Sequence, residues 1–183
     1  LILRDREFGV PLDHADPTGE TITVFAREVV LTSKDQEELP WLVFLQGGPG
    51  FPSPRPNDAS GWLGWACQQF RVLLLDQRGT GRSAPLHAES VTARGDAHAQ
   101  ADFLALFRAD SIVEDCEFIR HELADGRPWT LLGQSFGGFC SVRYLSAHPE
   151  GLTAALITGG LPALEAHPDE IYRRTYPICA DKN

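Results

Sequence analysis

The chain has 183 residues, 43% of them hydrophobic and 22% charged, and a formal net charge of −9. That is an ordinary globular balance with enough apolar content for one domain around a sizeable core. The acidic charge, unbroken by any basic run, argues against a nucleic-acid partner, and no apolar run approaches the roughly 18–20 residues that span a bilayer.

No signal peptide opens the chain, so the default expectation is a cytoplasmic protein. The chain begins at Leu1 and contains no methionine, so a fragment or a processed product is expected. Cys67, Cys116, Cys140 and Cys179 are scattered, without the close pairs that build zinc sites or redox motifs. They are expected to be free and mostly buried thiols, with no metal and no cofactor.

Ile2 to Val10 and Thr21 to Leu31 read as two strands around the turn-rich segment 13–19. Thr21, Thr23 and Phe25 alternate with Ile22, Val24 and Ala26, so the pair is expected to be an antiparallel hairpin with one face toward solvent. Trp41 to Leu45 is apolar without alternation, as a strand covered on both faces by helices would be. It runs into Gln46-Gly-Gly-Pro-Gly50, where consecutive glycines let the backbone approach a ligand and aim N–H groups at an anion. A plain tight turn is the alternative reading of that stretch. Pro52, Pro54 and Pro56 then stiffen an extended loop, and Trp62 and Trp65 suggest a short helix packed beneath it.

Phe70 to Leu75 is the next buried strand, ending in Asp76-Gln-Arg-Gly-Thr-Gly-Arg-Ser83. Here Asp76 and Arg78 are expected to form a pair that braces the loops. Gly79 and Gly81 lack the third glycine of a dinucleotide fingerprint. Residues 84–109 read as a long excursion with partial helix. Ser111-Ile-Val-Glu114 has the form of a capping box, after which Ile112, Cys116, Ile119 and Leu123 share a helix face that Gly126 and Pro128 close off.

Trp129-Thr-Leu-Leu-Gly-Gln-Ser-Phe-Gly-Gly138 is the stretch that carries chemistry. It predicts a short strand, a tight turn with Ser135 at its tip, and a helix from Phe136 along which Phe139, Val142 and Leu145 recur until His148-Pro149 stops it. Gly133, Ser135 and Gly137 have the G-x-S-x-G spacing of a nucleophile elbow, whose crowded backbone needs glycine on both flanks. Such a turn aims the serine hydroxyl and the Phe136 N–H at a helix N-terminus, where a developing oxyanion is favoured. Ala154 to Thr158 is predicted as a further buried strand, and Asp169 to Tyr176 as the first turns of a last helix. A hairpin followed by four strand–helix units implies a mainly parallel sheet, with Gln46-Gly-Gly, Asp76 and Ser135 all leaving strands at the same end.

Through Gln46-Gly-Gly-Pro-Gly50, Asp76-Gln-Arg-Gly-Thr-Gly-Arg-Ser83 and Gly133-Gln-Ser-Phe-Gly-Gly138, in this order and spacing, the chain resembles the proline iminopeptidases, or prolyl aminopeptidases. The likeness extends to Phe107-Arg-Ala-Asp-Ser-Ile112 and Ile157-Thr-Gly-Gly-Leu-Pro162 and corresponds to roughly the N-terminal half of that family's length. It implies an α/β-hydrolase fold, mainly parallel with an N-terminal antiparallel hairpin and truncated before the last strands. Residues 1–162 would form part of the core domain, and residues 163–183 the start of a helical lid.

The resemblance further implies that Ser135 is a nucleophile acting on peptides with an N-terminal proline. The N–H groups of Phe136 and Gly48 would form the oxyanion hole, with Gly47 shaping its turn. The family more often has His where this chain has Gln46. In this fold the triad acid and base follow the serine along the chain, and both are expected past Asn183, leaving these 183 residues inactive by themselves. His148 reads as a helix stop, and His167, ahead of the last helix, is not expected to be the base. His14, His87, His98 and His121 are expected to be solvated, and Asp169 and Asp181 are poor candidates for the acid. An esterase or lactonase on the same fold, or a catalytically silent remnant, remain open alternatives.

Overall fold

The structure is a computed structural model that describes residues 1–163 and 166–180. Twelve principal elements follow in chain order: β1 (Ile2–Pro11), β2 (Thr21–Val30), β3 (Trp41–Leu45), α1 (Gly61–Ala66), β4 (Arg71–Leu75), α2 (Ala88–Thr92), α3 (Ala97–Ala105), α4 (Ala109–Ala124), β5 (Trp129–Gln134), α5 (Phe136–Ala147), β6 (Leu152–Thr158) and α6 (Pro168–Ala180). The strands form a six-stranded sheet in the order β1-β2-β4-β3-β5-β6. β3 pairs in parallel with β4 and β5, and β6 in parallel with β5, while β2 joins β1 and β4 antiparallel.

The unbroken apolar runs of β3 and β4 have the expected cause. Val43, Leu45, Leu73 and Leu75 point to the face covered by α4 and α5, where they meet Val113, Cys116, Ile119, Cys140 and Tyr144. Leu42, Phe44, Val72 and Leu74 point the other way, onto Leu63, Ala66 and Cys67 around α1. Side chains alternate across a strand, so a strand buried on both faces must be apolar throughout. Cys67, Cys116 and Cys140 are free and buried; the reading for the Cys179 side chain lies outside the described residues.

Several expectations are corrected. In β2, only Thr21 and Thr23 keep a solvent face, whereas Val24, Phe25 and Ala26 are all buried. The strand is interior to the sheet, and the guanidinium groups of Arg55 and Arg82 cover the Phe25 ring at 5.1 and 3.9 Å from its centroid. Trp65 is exposed and Trp62 only partly covered, its ring centroid 5.0 Å from that of Phe44, while Leu63 and Ala66 are the buried residues of α1. The capping box at Ser111 and Glu114 does not form, since α4 already begins at Ala109 and Glu114 bonds His148 instead.

On α5 the buried face is Gly137, Gly138, Cys140, Ser141 and Tyr144, while Phe139 and Leu145 are exposed. Small residues let this helix lie close on the sheet, which turns the larger apolar stripe outward. β6 is half-exposed rather than buried, because among the described residues it pairs with β5 alone. No helix among the described residues is long and apolar enough to cross a membrane.

Candidate active site

The site is built where β3, β4 and β5 end. Ser135 joins β5 to α5 with φ 52° and ψ −114°, a conformation that costs a non-glycine residue about 1–3 kcal/mol. Its surroundings hold it there. The Ser135 N–H donates to the Thr158 carbonyl at 3.0 Å, and the Ser135 carbonyl accepts from Gly138 N–H at 2.8 Å. The flanking glycines are a steric necessity. A Cβ on Gly133 would lie 2.3 Å from the Gly137 carbonyl oxygen, and one on Gly137 would lie 2.0 Å from that of Leu45.

The loop after β3 lies against this turn. A Cβ on Gly47 would be 2.9 Å from the Cβ of Ser135, so the close approach itself requires glycine. The Gly47 N–H is taken up by the Gln46 side chain, whose Oε1 accepts it at 2.9 Å. Gly48, next along, is exposed with φ 128°. Ser135 and Gly48 share a cavity of about 490 Å³ whose walls include Phe136, Phe139, Leu161 and Tyr172. As the first residue of α5, Phe136 has its N–H outside the intrahelical ladder. Burial pushes the Cys140 thiol up to about 12 and Cys116 well above the usual thiol range, so both stay protonated and unreactive at neutral pH.

Asp76 and Arg78 do brace loops, but each with other partners and not as a pair. The buried Asp76 carboxylate accepts from Ser53 N–H at 2.8 Å, from Arg82 N–H at 3.0 Å and from the Arg55 guanidinium at 2.5 and 3.1 Å. Arg78 donates to both carboxylate oxygens of Asp115 on α4, at 2.5 and 2.7 Å, and to the carbonyls of Pro11, Leu12 and Leu106. Each charge thus finds its counter-charge in a different part of the chain, Asp76 in the loop after β3 and Arg78 on α4.

The histidines lie elsewhere. His148 caps α5 at the end away from Ser135, about 18 Å along a helix of this length, with Nε2 2.8 Å from Glu114. His14 is half-buried rather than solvated, its Nε2 2.9 Å from both Asp115 and Arg78. His87, His98, His121 and His167 are exposed, as is Asp169 on the first turn of α6. Asp181 lies outside the described residues. Among the described residues no histidine is hydrogen-bonded to the Ser135 hydroxyl. Reasoning from sequence missed Ser53, Arg55, Gln77 and Asp115 as loop-holding residues. Of these only Gln77, inside the Asp76-to-Ser83 motif, carried a local signal.

A mainly parallel sheet with an antiparallel N-terminal hairpin, helices on both faces and a strained serine between strand and helix is the arrangement of the α/β hydrolases. The alpha/beta hydrolase fold family matches residues 40–177, and the chain belongs to it. Within that family the similarity is to proline iminopeptidases. The chain is 55% identical over 177 residues to the proline iminopeptidase of Aeromonas sobria and 40% identical over 183 residues to one from Aspergillus aculeatus, covering in each case 96% of this chain and 41% of the relative. It thus spans about two fifths of the length of these curated relatives. Among solved structures, a proline iminopeptidase-related protein of Thermus thermophilus shares the fold at 22% identity and a TM-score of 0.52, covering 95% of this chain and 56% of that one.

Proposed function

We propose that Ser135 is the nucleophile of a serine aminopeptidase that releases N-terminal proline from peptides. The observation that carries the chemistry is the placement of Ser135, strained and exposed at the start of α5, across one cavity from Gly48. The substrate class rests on the likeness to proline iminopeptidases. The Ser135 hydroxyl attacks the carbonyl carbon of the first peptide bond, and the negative charge that forms on its oxygen is met by the N–H groups of Phe136 and Gly48. A general base takes the serine proton and returns it to the leaving amine, and water then hydrolyses the prolyl ester. In the chain order of this fold the acid and base come after the serine, from outside the described residues. The aromatic and aliphatic walls of the cavity, Phe136, Phe139, Leu161 and Tyr172, suit the methylene carbons of a pyrrolidine ring, whose charged nitrogen needs a polar partner elsewhere. Ile171 and Tyr172 of α6 also line it, which supports residues 163–183 as the beginning of a lid.

The test uses the full-length gene product. Proline anilide should be turned over in preference to alanine anilide and to a simple aryl ester, and Ser135→Ala should abolish turnover while leaving the far-ultraviolet circular dichroism unchanged. Ester turnover without prolyl turnover would replace the peptidase reading by an esterase. Full activity of Ser135→Ala would remove the serine from the mechanism.

A further inference from the structure

The loop that carries Gly48 is fastened at both ends to the two residues that follow β4. On the near side, the side chain of Gln77, itself buried, donates from Nε2 to the Gln46 carbonyl at 3.0 Å. On the far side, Ser53 is buried and doubly held. Its N–H donates to Asp76 Oδ1 at 2.8 Å, and its hydroxyl donates to the Leu75 carbonyl at 2.6 Å. Arg55 adds a strut, bonding the Ser53 carbonyl at 2.9 Å and Asp76 at once. Gln77 is fixed in turn, since its own carbonyl accepts from both the N–H and the hydroxyl of Thr80, at 3.0 and 2.8 Å. Between the two anchors, Gly48, Pro49 and Gly50 are exposed.

We infer that Gln77, with Asp76, is a positioning residue for the Gly48 N–H, holding it in register with Ser135 so that the oxyanion site is formed before substrate arrives. This deepens the function proposed above and rests on it. Three points favour a positioning role over generic loop packing. Gly47, Gly48 and Gly50 make up half of the short span between the anchors, so Pro49 and Pro52 alone would not fix where its N–H groups point. The anchors bond the backbone at its two stems, which constrains where the intervening N–H groups point. The Gln46 side chain closes the Gly47 N–H, and Gly48 is the residue of this loop that lines the cavity beside Ser135. Gln77 is buried, is not among the residues that line the Ser135 cavity, and acts through this loop.

The experiment compares wild type, Gln77→Leu and Gln77→Glu in the full-length gene product. Gln77→Leu removes the donor, and Gln77→Glu keeps the shape but sets a carboxylate against the Gln46 carbonyl. Displacing a transition-state donor by a fraction of an ångström to one ångström costs up to about 10²-fold, whereas ground-state binding makes little use of it. Both variants should therefore lose about 10- to 100-fold in kcat with KM within about twofold of wild type. Affinity for a prolyl boronic acid, whose tetrahedral adduct places an oxygen in the same site, should fall in parallel with kcat, while binding of free proline stays level. Gln77→His, which restores an N–H donor, should recover part of kcat.

Variants with unchanged kcat, or with losses in kcat, boronate and proline binding all alike, would overturn the inference. If wild type hydrolyses only the aryl ester, the peptidase reading fails and the same comparison is made on the ester. A wild type that hydrolyses neither substrate ends both.

Discussion

Two turns leave parallel strands at the same end of the sheet, and they are held in opposite ways. The turn after β5 takes its shape from side chains that are missing. Gly133 and Gly137 sit where a Cβ would enter the backbone of Gly137 and Leu45, and Ser135 is forced into its strained conformation by that tight packing. The turn after β4 takes its shape from side chains that are present, buried and charged. Asp76 draws in Ser53, Arg55 and Arg82, and Arg78 draws in Asp115 and the end of β1. The first method displays a side chain on an exposed turn without tying it to a partner. A neighbouring loop is best steadied by the second, whose partners can lie anywhere in the chain.

The largest effect is expected on the charged side. Asp115→Ala leaves Arg78, whose side chain is fully buried, without its carboxylate, and should cost about 3–5 kcal/mol in denaturant unfolding. A loss under about 1 kcal/mol, the worth of an exposed pair, would mean that the three backbone carbonyls suffice to hold the guanidinium. On the steric side, Gly137→Ala should cost about 3 kcal/mol, because the new methyl would meet backbone rather than a movable side chain. A neutral result there would show that α5 can lift from β3 without penalty.

A second buried carboxylate of the same kind tests the charged method away from the site. Glu28 in β2 is buried and held by Arg6 at 2.8 Å, by Arg4 at 3.1 Å and by Arg71. Burial raises its pKa, but the hydrogen bonds from Arg71 and Arg6 outweigh this and hold it below the ordinary glutamate value of 4.5. A lowered folded pKa adds stability that is fully present above about pH 4.5 and is lost as the pH falls through the folded value. Glu28→Gln should therefore be about 2 kcal/mol less stable than wild type at pH 7, by analogy with hydrogen bonds to charged groups. The difference should narrow below about pH 4.5, and a gap that stays constant to about pH 2 would contradict it.

The smallest effect has the opposite sign. Ser135→Gly should be about 1 kcal/mol more stable than Ser135→Ala, since glycine adopts a positive φ without strain and alanine does not. Equal melting temperatures for the two would mean that the elbow stores no strain.

The same contrast explains what could be read from the sequence. Steric requirements are local, so Gly133, Ser135 and Gly137 announced the elbow, and the unbroken apolar runs of β3 and β4 announced a sheet covered on both faces. Polar partnerships are not local. Arg78 meets Asp115 and Asp76 meets Arg55, across separations that no short pattern records, and so the nearest opposite charge was taken for the partner. The α5 stripe misled for a related reason. Helical periodicity finds an apolar face, but the close contact required by Gly137 decided which face meets the sheet. The exposure of β6 depends on sheet neighbours, which its own sequence does not specify.

The antiparallel seam between β2 and β4 has a consequence for the order in which the chain can assemble. The β1–β2 hairpin docks on β4, and the chain reaches β4 about 40 residues after β2 ends, an interval of a few seconds at roughly 5–20 residues per second of synthesis. A lone two-stranded ribbon is marginal in water. On the ribosome the hairpin therefore waits, with Val24, Ala26 and Val29 still wet, until β4 emerges and the sheet can zip outward on both sides of β3 and β4.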